Sequence, residues 1–385
     1  MSTLYSRLAT LSALAFAVSS LFVGCGGSGG NQKDEPDAPS VDEVAFARGA
    51  DVSWASEMEY DMEHNPARIN GSAFKDSKGN TGLYPVLKAA GVNAIRLRVW
   101  VKPEDANGWS GKDDVVNMAK RAAEAGMSVM IDFHYSDFFA DPSRQNTPAE
   151  WAGLDLKGLS AKVAEHTKDV LTALKSAGVT PHWVQVGNET RPGMLWETGR
   201  LYNDKGDIPG GWSNYAALTT AGYDAVKSVF PDAQVLVHID NAYQDNTGFF
   251  DTLKANGGKF DMSGLSHYPM TNSQMTWKAM NSAAILNIKT LASKYGCKVM
   301  VCEVGVKASA SEIATSTQCL TDFMNSVKSL SVCAGVFYWE PQVDGKWRPA
   351  IYEKQGRNWG AYDMGAFTSD GSAITPTSIL SAFGE

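Results

Sequence analysis

The chain has 385 residues, 44% hydrophobic and 20% charged. That composition supports a large core and excludes a disordered chain or a disulfide-dense mini-protein. With 34 basic against 42 acidic residues the net charge is -8, which argues against nucleic acid as a partner. The 11 Trp and 13 Tyr suit flat, apolar ligand faces such as sugar rings as well as core packing.

Residues 1–24 read as a targeting segment. Arg7 precedes an apolar run from Leu8 to Val23, interrupted by Thr10, Ser12, Ser19 and Ser20 and too short for a membrane span. The run closes on Leu21-Phe22-Val23-Gly24-Cys25, which resembles the lipobox of bacterial lipoproteins, whose Cys becomes the lipidated first residue. Residues 25–45 are rich in Gly, Ser, Pro and acidic side chains, the composition of a solvated tether. Acids soon after the Cys resemble the surface-export signals of some Gram-negative lipoproteins. The expectation is an outer-membrane lipoprotein, exposed at the cell surface and held by a lipid on Cys25.

From Phe46 to the C-terminus the pattern alternates. Short β-rich runs fall at Phe46–Trp54, Asn93–Val101, Ser128–Ser136, His182–Glu189, Gln234–Asn241, Asp261–Pro269, Lys298–Gly305 and Gly335–Pro341. Helical patterns lie near Tyr84–Ala90, Asp113–Ala125, Lys157–Ala177, Asn214–Val229, Thr247–Ala255, Ser273–Lys294, Ser311–Leu330 and Pro376–Ala382. Gly91, Gly126, Gly178 and Gly296 stand where helices should stop. Eight alternations predict an α/β fold, a single (β/α)8 TIM barrel over 46–385, rather than an open doubly wound sheet. No glycine fingerprint follows the first strand, which disfavours dinucleotide binding.

In such barrels chemistry gathers at the C-terminal ends of strands. Those ends read Arg96 and Arg98; Asp132 to Asp137; Asn188-Glu189; His238 to Asn241; His267-Tyr268; Cys302-Glu303; and Tyr338 to Pro341. Polar groups at nearly every end form a ring that packing alone does not require. Glu189 and Glu303, on strands four and seven, face each other across the mouth. Two facing carboxylates can cleave a glycosidic bond, one protonating the leaving oxygen and the other attacking the anomeric carbon. A retaining pair should stand about 5–5.5 Å apart. Arg96 is placed to keep one carboxylate ionised, and Asn188 can hydrogen-bond a sugar hydroxyl. On this reading, replacing Arg96 by Ala should cripple activity without unfolding the protein.

Asn188-Glu189 and Glu303 resemble the clan A retaining glycoside hydrolases. Arg48 to Trp54, Arg96 to Val101, Asp132 to Asp137 with Ala140-Asp141-Pro142, Val186 to Glu189, and Tyr338 to Pro341 are similar to family 53, the endo-β-1,4-galactanases. The resemblance covers about Phe46 to Phe383. It implies Glu189 as acid/base and Glu303 as nucleophile, with Arg96 and Tyr268 supporting the nucleophile. It also implies Asn188 and His134 at the cleavage subsite, Trp339 as the platform beneath that sugar, and Asp240 and Asn241 lining the cleft. The implied substrate is the β-1,4-galactan of pectin side chains, cut internally by a monomer that requires no cofactor. No role is carried onto His267.

Some bacterial members of the family hold a structural calcium near the last loops, and the acids between Asp344 and Asp363 show no compact ligand run for it. No His spacing suits zinc. Cys297 and Cys333 begin adjacent strands and are candidates for a disulfide, with free thiols the alternative. Cys302 is expected to point into the barrel wall. Trp109, Trp151, Trp196, Trp212 and Trp347 fall in loops, as sugar-stacking faces or as anchors. Other readings are a clan A endo-glycanase acting on mannan, arabinogalactan or glucan, and a surface lipoprotein that captures glycan without cutting it. A two-lobed solute-binding protein is at odds with the eightfold alternation.

Overall fold

The computed structural model describes residues 44–355 and 363–384. The predicted signal segment, Cys25 and residues 25–43 of the tether lie outside the described residues. Eight parallel strands close into a barrel: β1 (Ala47–Asp51), β2 (Ala94–Val99), β3 (Ser128–Phe133), β4 (Trp183–Val186), β5 (Gln234–Ile239), β6 (Met262–His267), β7 (Val299–Val304) and β8 (Cys333–Trp339). Each pairs with its sequence neighbours, and β1 closes against β8 with Ala47 opposite Gly335 and Asp51 opposite Trp339. The predicted single (β/α)8 barrel is the observed fold.

The strand sequences dictate two faces. On β2, Ile95, Leu97 and Val99 point outward under the helices, while Ala94, Arg96 and Arg98 point into the barrel. Consecutive strand residues point to opposite faces, so the interior is built in layers. The lower layer is apolar: Ala47, Ala94, Met130, Trp183, Leu236, Met262 and Met300 pack as one cluster. One step further along the strands the interior turns polar, with Asp51, Arg96, Asp132, Gln185, His238 and Ser266 all buried. Gly49 lets these layers meet, since a Cβ there would sit 2.1 Å from the Phe337 ring.

Helices α2 (Leu83–Ala89), α3 (Lys112–Glu124), α4 (Leu156–Ser176), α5 (Gly211–Val229), α6 (Thr247–Ala255), α7 (Trp277–Tyr295) and α8 (Ile313–Lys328) lie close to their predicted spans. Asp155 caps α4 and Thr276 caps α7 through their side-chain oxygens. The last predicted helix is a short 3-10 turn, Ser378–Phe383. Helix α1 (Ala55–His64) was not predicted. Its inward face mixes Glu57 and Asp61 with Ala55 and Met58, which breaks the apolar pattern. Those acids tie down the loop after β8: the Ala350 amide donates to Glu57 and Trp347 Nε1 to Asp61.

Two cysteine expectations need correction. Cys297 and Cys333 are free thiols. The Cys333 thiol turns to the Gly335 carbonyl, whereas Cys297 lies beside Ser263 on β6, so the two do not meet. Cys302 points into the barrel core, not its wall. The β6–β7 register moves from Leu265 opposite Val301 to Ser266 opposite Glu303, which leaves Cys302 as the extra residue of a β-bulge. The bulge turns both Cys302 and Glu303 inward. Gly264 makes room for the sulfur, because a Cβ there would lie 2.7 Å from it.

Candidate active site

The polar layer opens at the C-terminal end of the barrel into a cavity of about 810 Å³. Arg96, His134, Asn188, Glu189, Tyr268, Glu303 and Trp339, seven of the residues singled out from sequence, all line it. Asp240 and Asn241 line a smaller adjoining recess of about 200 Å³, which also touches Glu189 and Tyr268.

Arg96 sits at the centre of the charge network. Its guanidinium reaches Asp51 at 2.7 Å, Asp132 at 2.8 Å and Glu303 at 3.0 Å. It also donates to the side-chain oxygens of Gln185 and Asn188, at 3.1 and 2.9 Å. Each carboxylate has a further donor: Ser53 for Asp51 at 2.6 Å, His134 Nε2 for Asp132 at 3.0 Å, and the Tyr268 hydroxyl for Glu303 at 2.8 Å. Buried ions persist only when paired and hydrogen-bonded in this way.

Among the described residues no cation pairs with Glu189. Its Oε1 accepts from Ser266 Oγ at 2.7 Å. Burial raises its carboxyl well above the ordinary range, and the negative charges of Glu303 and Asp240 add to the shift. Glu303 is also raised by burial, but Arg96 and the Tyr268 hydroxyl pull it back. Opposed environments of this kind separate a proton-bearing acid from an ionised partner.

The backbone presents Glu189 in a conformation unusual for its residue type. Its φ is +46°, and Tyr135, Asn241 and Glu340, just past β3, β5 and β8, share this left-handed region. Such positions cost roughly 1–3 kcal/mol each and need an over-determined surrounding. Gln145 Nε2 supplies part of it by donating to the Asn188 carbonyl at 2.8 Å and the Glu189 carbonyl at 3.3 Å.

The other expected residues divide by what their polar atoms already do. Asn188 donates to the Ala140 carbonyl and accepts from Arg96, leaving one amide hydrogen for a ligand. Both ring nitrogens of His134 are engaged, one with Asp132 and one with the Ala140 amide, so the ring serves as wall and as a brace for Asp132. Asp240 is held by an ion pair with Arg191. The Tyr268 hydroxyl donates to Glu303. His267 turns away from the cavity, bonded to Asn281 and packed on Phe323. Among the loop tryptophans Trp151 and Trp347 are buried anchors, and Trp212 begins α5. Asp51, Gln185 and Ser266 join the site without having been predicted in it, and His238, read only as part of the strand-five end, stands behind Glu189.

The described part of the 344–363 segment does not assemble a calcium set. Asp344 accepts from the Lys346 and Trp347 amides and from Ser369 Oγ, and among the described residues no three His, Cys, Asp or Glu converge.

The profile of glycosyl hydrolase family 53 matches residues 47–380. The arabinogalactan endo-beta-1,4-galactanase of Thermothelomyces thermophilus is 35% identical over 334 residues, 80% of this chain and 94% of the relative. The endo-beta-1,4-galactanase of Bacillus subtilis (strain 168) is 31% identical over 361 residues, 86% and 78% of the two chains. A solved structure from a study of two fungal beta-1,4-galactanases superposes with a TM-score of 0.71 at 32% identity, covering 88% of this chain and 99% of that one. The Ignisphaera aggregans GH53 catalytic domain also gives 0.71, at 26% identity, covering 91% and 97%.

The network revises the expectation for Arg96. Removing it leaves Asp51, Asp132 and Glu303 buried without their shared cation, and breaking one buried pair costs about 3–5 kcal/mol. Arg96→Ala is therefore expected to lose several kcal/mol in urea unfolding at neutral pH as well as activity. Unchanged stability would show that the three acids do not depend on it.

Proposed function

The chain belongs to glycosyl hydrolase family 53, and on that basis we infer that it is an endo-β-1,4-galactanase that cuts the β-1,4-galactan of pectin side chains with retention. The observation that carries the mechanism is the contrast between Glu303, held by Arg96 and Tyr268, and Glu189, half-buried in the same cavity and facing acidic neighbours.

Galactan lies in the open cleft with one galactose over Trp339, whose apolar face matches that of the ring. A Glu303 oxygen attacks the anomeric carbon while Glu189 gives its proton to the glycosidic oxygen. The C–O bond breaks, the protonated chain leaves, and galactose is held as an ester of Glu303. Glu189, now ionised, removes a proton from water, which attacks the same carbon and frees Glu303. Arg96 and Tyr268 stabilise the carboxylate each time it is released. Asn188 offers its remaining amide hydrogen to the sugar.

The reading of residues 1–45 is the second part of this proposal. The apolar run ending at Cys25 and the acidic tether after it support a lipid-anchored enzyme on the outer surface of the outer membrane, with 46–385 as a monomeric catalytic domain.

Three measurements test these parts. Glu303→Gln keeps the shape of the side chain but removes its charge, so turnover of linear β-1,4-galactan should fall by a factor on the order of 10⁴ or more with the fold retained. NMR of the early wild-type digest should show the β-anomer at the new reducing ends; the α-anomer would indicate inversion. Cys25→Ser should move the enzyme from the membrane fraction to the soluble fraction of the producing cells, and an unmoved variant would remove the anchor.

A further inference from the structure

The groups behind Glu189 form a directional chain that begins at Arg96. Arg96 donates to Gln185 Oε1, at 3.3 Å from Nε and 3.1 Å from Nη2. A guanidinium has only donors, so the Gln185 carboxamide oxygen must face it and the amide nitrogen must face the other way. That nitrogen lies 2.8 Å from His238 Nδ1. The Glu189 backbone amide points to the same Nδ1, at 3.4 Å. Asn188 Oδ1 also lies 3.0 Å from Nδ1, but it already accepts from Arg96 and Gln185, so with the Gln185 and Glu189 N–H groups directed at it Nδ1 is the bare nitrogen and the ring hydrogen sits on Nε2. Nε2 is 2.8 Å from Ser266 Oγ. Ser266 accepts that hydrogen and directs its own at Glu189 Oε1, 2.7 Å away.

Each link is buried: Gln185, His238 and Ser266 expose no more than 1% of their surface. Burial and the charge of Arg96 hold His238 well below its ordinary range, so the ring stays neutral and its tautomer is set by its neighbours.

We propose that Ser266 and His238 are positioning residues that fix which oxygen of Glu189 carries the catalytic proton. A carbonyl oxygen accepts a hydrogen bond better than the hydroxyl oxygen of a carboxylic acid, so the Ser266 hydrogen on Oε1 favours Oε1 as the carbonyl and Oε2 as the proton carrier, and the acid is delivered in one orientation. Arg96 thus orders both carboxylates, Glu303 by direct contact and Glu189 through Gln185, His238 and Ser266. This inference rests on Glu189 being the acid/base.

The decisive variant is Ser266→Ala, compared on two substrates. Cleavage of galactan needs the acid, because the departing sugar oxygen is strongly basic. Cleavage of a dinitrophenyl β-galactobioside does not, because dinitrophenolate leaves without protonation. General acid catalysis supplies a factor of about 10²–10⁴, and losing its orientation should forfeit roughly tenfold. We expect kcat/KM on galactan to fall about tenfold while kcat/KM on the aryl substrate changes less than about threefold. Ser266→Thr, which keeps the hydroxyl, should recover most of the galactan activity. Equal losses on both substrates would mean that Ser266 shapes the site without acting on the proton, and no loss on either would remove the chain from catalysis. Either result overturns the proposal.

The reading of Glu189 itself is tested separately with Glu189→Ala and azide. Azide needs no general base, attacks the anomeric carbon of the Glu303 ester, and releases Glu303 with a β-galactosyl azide as product. If azide speeds turnover of the aryl substrate and that product forms, Glu189 is the acid/base and the Ser266 result judges the chain alone. If azide does nothing, the acid/base assignment has failed and the positioning role goes with it.

Discussion

One buried guanidinium balances the negative charge that this active site concentrates. Asp51, Asp132 and Glu303 converge on Arg96 within 3.0 Å, from β1, β3 and β7. Three carboxylates and one cation in a dry interior leave an excess of negative charge. Serine, histidine and tyrosine donors hold it in place. The nucleophile candidate is thereby held in place at the cavity wall. Burial, with the charges of Glu303 and Asp240 adding to it, raises the neighbouring Glu189, and among the described residues no cation pairs with it. Burial and one arrangement of charge together produce both halves of an acid–nucleophile pair, as two-carboxylate hydrolysis requires.

The scaffold makes that arrangement possible by separating its tasks along the barrel axis. The lower interior is apolar and close-packed, and the upper interior is polar and opens on the cavity. Stability is concentrated below, while strain is concentrated above, where Tyr135, Glu189, Asn241 and Glu340 hold left-handed backbone just past their strands. The bulge at Cys302 is part of the same division, since it breaks the two-residue alternation so that Glu303 enters the mouth.

Most of this barrel was readable from residue order. Outward-facing Val, Ile and Leu mark the strands, and Gly91, Gly126 and Gly178 mark helix ends, because both signals are local. Strand-end chemistry was readable for the same reason: Asn188-Glu189 and Glu303 stand where their strands stop. What escaped depends on contacts between strands. Gln185, His238 and Ser266 are single polar residues inside β-rich runs, and their roles exist only once β4, β5 and β6 lie side by side. Cys302 was assigned to the wrong face because an extra residue in a ladder leaves no local trace. Helix α1 was missed because its buried face includes Glu57 and Asp61, acids that secure the loop after β8. The cost of removing Arg96 was underestimated because one partner was foreseen where the structure has three.

The central claim is that Glu303 forms a covalent bond to galactose, and trapping that bond tests it most directly. A 2-deoxy-2-fluoro galactobioside with a dinitrophenyl leaving group slows both steps through its fluorine, while the leaving group keeps the first step fast enough for the ester to accumulate. Mass spectrometry of the digested enzyme should then find the fluoro-sugar on the peptide containing Glu303. An adduct on Glu189 instead, or an enzyme that turns over galactan yet yields no adduct, would contradict the account.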